Sequence, residues 1–203
     1  MATPLASEFI EEQNSILSRR VEGRRRLGQC PAETRARILA SGEGISSRLM
    51  VVVLNHQGFT AQWSDTDVLP LANEDWLDSL IDIDAAAPLL KEWLAGDSQV
   101  VVLPGFYGRN AGGDIKLLGR NGTDYSAAAI AAATGAGLCQ IWKDVDGFFT
   151  ADPRIVSNAQ CLEEVSYDEA MELTYFGAKV ISAKALTPLA SNNIPCEVRN
   201  TYD

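Results

Sequence analysis

Leu118-Gly119-Arg120-Asn121-Gly122-Thr123-Asp124-Tyr125-Ser126 is the stretch whose residue types and spacing could do chemistry. Two glycines flank an Arg-Asn pair, so the backbone can turn tightly and come close to a ligand. An alanine run follows and predicts a helix over Ala127–Ala133, capped by Thr123 or Asp124. The amides at such a helix start carry partial positive charge and suit an anion. Arg120 adds a two-pronged donor for a carboxylate or a phosphate. Asp124, four residues on, adds an acceptor for an ammonium group. One short turn thus offers both signs of charge, as the two ends of an amino acid require.

Other polar residues follow predicted strands or open predicted helices: Glu43, Phe106 with its neighbours, Asp144, Arg154 and Lys179. Open α/β sheets place their ligands at the carboxyl ends of strands. The only histidine, His56, reads as a helix-end residue, so no histidine-based triad or His-rich metal site can be built. Neither a dinucleotide fingerprint, nor a phosphate-binding loop, nor a Gly-x-Ser-x-Gly elbow occurs. Chemistry must then run without a histidine base or a covalent serine. Phosphoryl transfer to a carboxylate fits, because a carboxylate is already ionised at neutral pH and attacks without a general base. Such an enzyme has to position its substrates and neutralise phosphate charge with lysine, arginine, backbone amides and Mg²⁺.

The elements that must hold these groups alternate between helix and strand. A helix is expected over Ser7–Arg26, ending in an arginine cluster that reads as a solvated face. Pro31 is placed to open a helix to about Ala40. Ser41-Gly42-Glu43-Gly44 then predicts a break, and a further helix runs from about Ile45 to Asn55. Phe59–Trp63 reads as a strand, and Asp65–Asp84 as an acidic loop with Trp76, Leu77, Leu80 and Ile81 packing down. A helix over Ala85–Leu94 leads to a buried-type strand, Val100–Pro104. Asn110–Asp114 reads as a hairpin turn. After the alanine helix come a strand at Leu138–Trp142 and a proline turn at Ala151–Arg154. A helix over Tyr167–Leu173 carries a capping box from Ser166 and Glu169. A helix over Ala183–Ser191 and a strand over Pro195–Arg199 close the chain. The class is α/β with a mostly parallel sheet.

The 203 residues suffice for a real core, and 46% apolar with 22% charged residues is a globular composition. A formal net charge of −10 argues against a nucleic-acid or anionic-membrane partner. Cys30, Cys139, Cys161 and Cys196 lie far apart, with neither disulfide-framework nor zinc spacing. No signal-like N-terminus or apolar run near 18 residues is apparent in the sequence, and a cytoplasmic protein is the expectation.

Four ordered stretches are similar to aspartate kinase: Leu118–Tyr125, Ile141–Gly147 (Ile-Trp-Lys-Asp-Val-Asp-Gly), Ala151–Arg154 and Tyr175–Val180 (Tyr-Phe-Gly-Ala-Lys-Val). The likeness is nearest to the kinase portion of aspartokinase–homoserine dehydrogenase fusions and extends from about Leu27 to the C-terminus. It implies the amino acid kinase fold, a three-layer αβα sandwich, and transfer of phosphate from ATP·Mg²⁺ to the side-chain carboxylate of aspartate. It implies a helical segment at 1–26 and a partial kinase-like domain at 27–203. It implies that Glu43, Phe106, Arg120, Thr123 and Asp124 meet the amino acid. Lys143, Asp144, Phe149, Arg154 and Lys179 would meet the nucleotide, with Lys179 and Asp124 in catalytic roles. Several positions depart from the family: Lys143 stands for a threonine, Phe149 for a tyrosine, and Ser182-Ala183 for His-Pro. The family's opening Lys-Phe-Gly-Gly-Ser/Thr strand and its regulatory ACT domains are not expected here. The resemblance therefore leaves three readings: an aspartate kinase, a partial domain that binds nucleotide and amino acid or assembles with a chain supplying the missing strand, and a kinase for a related amino acid. A homodimer is a further possibility that it implies.

Overall fold

Pro31, with φ −52°, precedes the longest helix, and Pro4 opens another at the other end of the same chain segment. The computed structural model describes residues 4–66 and 69–202. Helices α1 (Pro4–Leu27) and α2 (Ala32–His56) are followed by β1 (Ala61–Trp63), α3 (Ile83–Leu94) and β2 (Val100–Val102). Then come β3 (Tyr107–Arg109), β4 (Ile115–Leu117), α4 (Gly122–Thr134) and β5 (Cys139–Lys143). The last elements are α5 (Tyr167–Tyr175), α6 (Ala183–Ser191) and β6 (Cys196–Asn200). The chain divides into two compact units, Met1–Arg120 and Asn121–Asp203.

In the first unit the expected break at Ser41–Gly44 does not occur, and α2 runs unbroken through it. Ser41 Oγ donates to the Ile38 carbonyl at 2.6 Å, so its hydroxyl is satisfied within the helix. Two glycines cost about 1 kcal/mol each in a helix interior, and tertiary packing outweighs that. Ala36 and Ala40 are buried with Tyr107 and Leu117, and Trp76, Leu77, Phe106 and Ile115 pack against them. A side chain at Gly44 would come within 3.3 Å of the Tyr107 hydroxyl, so the glycine makes room for the ring. By length and composition α2 could cross a membrane, which the sequence reading did not foresee. Its Ala36 and Ala40 pack with Tyr107 and Leu117, and its Arg48 stacks on Trp63 at 4.0 Å. β1 and β2 pair in parallel, and β3 and β4 form the expected hairpin, closed by Asn110, whose side chain accepts from the amides of Gly112 and Asp114. Of the loop residues expected to pack down, Ile81 does so at 5% exposure, whereas Leu80 stays 43% exposed.

In the second unit, α4 buries Tyr125, Ser126 and five of its alanines. A helix with small side chains on most faces packs closely on all of them. Ala185, Leu186 and Leu189 of α6 are buried in the same unit, each leucine giving about 1.5–3 kcal/mol on burial. The Ser166–Glu169 capping box is present at α5 as expected. β5 and β6 pair in parallel with Cys139 opposite Cys196 and Lys143 opposite Asn200. The α/β class holds, and two of the three strand pairs among the described residues are parallel.

Candidate functional site

The residues singled out by the sequence fall into both units, and each unit is built in its own way. In the first, Glu43 lies midway along α2 and is half-buried, not at a helix start. The unbroken helix places it there. Phe106 sits between β2 and β3 with φ 71°, a left-handed conformation that is costly for a bulky residue. The backbone hydrogen bond from Leu118 to the Phe106 carbonyl, 2.8 Å, fixes that bend. Gly119 has φ 80°, and a side chain there would collide with the Asp78 carboxylate. The glycine is therefore required on both counts. Arg120 follows and is exposed.

Just upstream, Lys116 lies in the middle of β4 and is only 1% exposed. Its ammonium group is satisfied by the Glu74 carboxylate, by the Glu74 carbonyl at 3.0 Å, and by the Trp76 ring at 4.8 Å. This pairing holds the Glu74 carboxyl below the usual range, with a smaller contribution from Asn110. Sequence reasoning passed over Lys116; its place between two apolar strand residues was the available signal.

In the second unit, α4 begins at Gly122, earlier than the alanine run implies. Neither Thr123 nor Asp124 caps it. The N-cap residue is Asn121, in the left-handed conformation with φ 56° and without a side-chain cap bond. Thr123 is exposed in the first turn, and its carbonyl accepts from Ser126 Oγ at 2.8 Å. The Asp124 carboxylate instead accepts from Lys143 Nζ at 2.6 Å. Both side chains are mostly buried, at 16% and 19% exposure. This is the one ion pair between two of the sequence-selected residues among the described residues. Lys143 is the last residue of β5, and its carbonyl accepts from the Thr201 amide and hydroxyl.

Asp144 follows β5 directly and is exposed, and Phe149 is half-buried. Arg154 lies in the expected proline turn and is bound by Asp152 through two side-chain contacts, 3.0 and 2.8 Å. These bonds and the one from the Arg154 amide push Asp152 down to about 2. Lys179 is exposed beyond α5. A cavity of about 740 Å³ opens in this unit, with Trp142, Phe148, Tyr167, Leu186 and Cys196 among its walls. None of the sequence-selected residues lines it.

A glycine turn leads into the start of α4, and a lysine ends the strand that follows that helix. The chain belongs to the amino acid kinase family, whose model matches residues 4–200. It is 38% identical, over 96% of its length, to the bifunctional aspartokinase/homoserine dehydrogenase of Buchnera aphidicola, and 41% identical over 87% of its length to that of Haemophilus influenzae. It is similar in structure to Escherichia coli aspartokinase III in complex with aspartate and ADP, with a TM-score of 0.90, 33% identity and 98% of this chain covered. The chain spans 24% and 22% of those two bifunctional relatives and 45% of the aspartokinase III chain.

Proposed function

We propose that this chain carries the kinase chemistry of an aspartate kinase: transfer of the terminal phosphoryl group of ATP to the side-chain carboxylate of L-aspartate, giving 4-phospho-L-aspartate. The observation that carries this reading is the likeness, over nearly the whole chain, to a solved aspartokinase III whose complex holds aspartate and ADP. This is the opening reaction of aspartate-family amino-acid biosynthesis, and the place of work is the cytoplasm.

On this reading the first unit supplies Glu43 toward the substrate ammonium group, Arg120 toward its α-carboxylate, and Phe106 as a pocket wall. Thr123 and Asp124 serve the amino acid as well. Lys143, Asp144, Phe149, Arg154 and Lys179 serve the nucleotide. The substrate carboxylate is ionised and needs no base, so the protein's contribution is alignment and neutralisation of phosphate charge. Lys179, exposed and outside the ion pairs described, is the lysine available to a transferring phosphoryl group. No cluster of three or more His, Cys, Asp or Glu that could hold a metal occurs among the described residues. The cationic set nonetheless suits a nucleotide whose phosphates bring Mg²⁺ with them; the ion, when bound, spreads the charge of the phosphates.

The test is a coupled ADP-release assay on the purified chain with ATP·Mg²⁺ and L-aspartate, with Lys179→Ala as control. The expected result is aspartate-dependent turnover that falls about 100- to 1,000-fold in the variant, the scale of losing one transition-state donor. Turnover no higher than the control overturns the reading. A second reading, binding of nucleotide and amino acid without turnover, is favoured by the commitment of Asp124 to Lys143. Calorimetric titration with ATP, ADP and aspartate separates the two. A partner chain or a second copy completing the site belongs to the same proposal, and activity that rises with protein concentration would reveal it.

A further inference from the structure

β5 and β6 pair in parallel, and their register sets Cys139 directly opposite Cys196. Residues opposed in this way send their side chains to the same face of the pair. Adjacent strands lie about 4.8 Å apart, within the span of about 4.4–6.8 Å that a disulfide bridges between Cα atoms. The backbone therefore needs no rearrangement to bring the two sulfurs into range. Both residues are free thiols. The influence of each thiol on the other holds Cys139 below its ordinary range and pushes Cys196 well above it, and burial works against ionisation at both. Cys139 is buried, but Cys196 is half-buried and lines the cavity of about 740 Å³, so a small oxidant has a path to the pair.

We propose that Cys139 and Cys196 form an oxidisable dithiol, a modification site at which a peroxide links β5 to β6 by a disulfide and a thiol reductant restores the reduced pair. One thiolate attacks a peroxide oxygen, the O–O bond breaks, and the departing hydroxide takes up a proton to become water. The opposite thiol gives its proton to solvent and attacks the sulfenic sulfur. The S–O bond breaks, the S–S bond forms, and a second water leaves. Two thiols lose two hydrogens, and one peroxide is reduced to two waters. The bond would tie the two strands at the end opposite Lys143 and Asn200. The proposal stands apart from the kinase reading, since it needs neither nucleotide nor turnover.

The experiment treats the intact chain with hydrogen peroxide, raised until the exposed Cys161 is oxidised. Remaining thiols are alkylated and the chain is digested without reduction. Mass spectrometry should find the Cys139 and Cys196 peptides joined, two hydrogens lighter than their sum, and separated again by dithiothreitol. Cys139→Ser and Cys196→Ser should each abolish the joined species. Oxidised Cys161 with no Cys139–Cys196 link overturns the proposal, as does a link from either residue to Cys30 or Cys161 in preference.

Discussion

The Asp124 carboxylate is held 2.6 Å from the Lys143 ammonium, joining the first turn of α4 to the last residue of β5. Each charge keeps the other from being left unpaired in a largely water-free position. Removing either one strands its partner. Lys143→Met and Asp124→Asn should each destabilise the second unit by about 1–3 kcal/mol, between the values for exposed and fully buried pairs. Urea unfolding of the two single variants and the double variant checks this. The double variant should lose less than the sum, and strict additivity would mean that the pair contributes nothing.

Gly119→Ala tests the turn before Arg120. The substitution meets an unfavourable φ of 80° and the Asp78 carboxylate together. A loss of about 2–4 kcal/mol is expected, larger than for a positive-φ glycine with open space around it. Gly113, with φ 81° and nothing near, is the internal comparison, and Gly113→Ala should cost about 1 kcal/mol. Equal melting temperatures for the two variants would contradict the account.

Asp152 should titrate far below an ordinary aspartate. Its carboxyl is pushed down to about 2, first by the Arg154 side chain and then by the Arg154 amide. A depressed carboxylate stabilises the fold fully above the unfolded value, about 3.9. That contribution is lost as the pH falls from there toward 2. Carbon-detected NMR of the carboxyl resonance reads the midpoint directly. Arg154→Ala should return it most of the way to the ordinary range. The same measurement tests the proposed role of Arg154, because a nucleotide that draws Arg154 away from Asp152 should raise the midpoint, and an unchanged midpoint with ATP present counts against that role.

Ser166→Ala removes the cap of α5. Its hydroxyl accepts from the Glu169 amide, and the Glu169 carboxylate accepts from the Ser166 amide in return. The expected cost is about 1 kcal/mol. The bonds from the Ser166 amide, and then from its hydroxyl, to the Glu169 carboxylate hold Glu169 below its usual range, so the stabilisation they give is present above the ordinary glutamate value and fades as the pH falls through the lowered one. Thermal unfolding of the native chain and the variant should therefore differ at neutral pH and by less in acid, where the bond from the Glu169 amide to the Ser166 hydroxyl still separates them.

Local chemistry was legible where one signal dominates. The Ser166–Glu169 box, the Asn110 turn, the span of α6 and the proline turn at Arg154 each follow from a residue whose side chain serves its own backbone. Reading failed where a distant partner decides. Gly42 and Gly44 read as a break because nothing nearby in sequence announces Tyr107, the ring that the helix receives. Asp124 read as a cap because Lys143, nineteen positions on, is invisible to local rules. The cysteines read as scattered because strand register, not spacing, sets them opposite each other. The motif residues stand out in the sequence by type and order; their pairings do not.

The unbroken course of α2 fixes where Glu43 can sit. Glu43 rides near the midpoint of a 25-residue rod anchored through Ala36, Ala40 and Ser47, and it cannot swing on a hinge of its own. On the proposed function, a carboxylate mounted this way is a fixed gauge for the substrate ammonium group: moving it would mean sliding the whole rod, so the packing of Ala36, Ala40 and Ser47 would set where that group can sit.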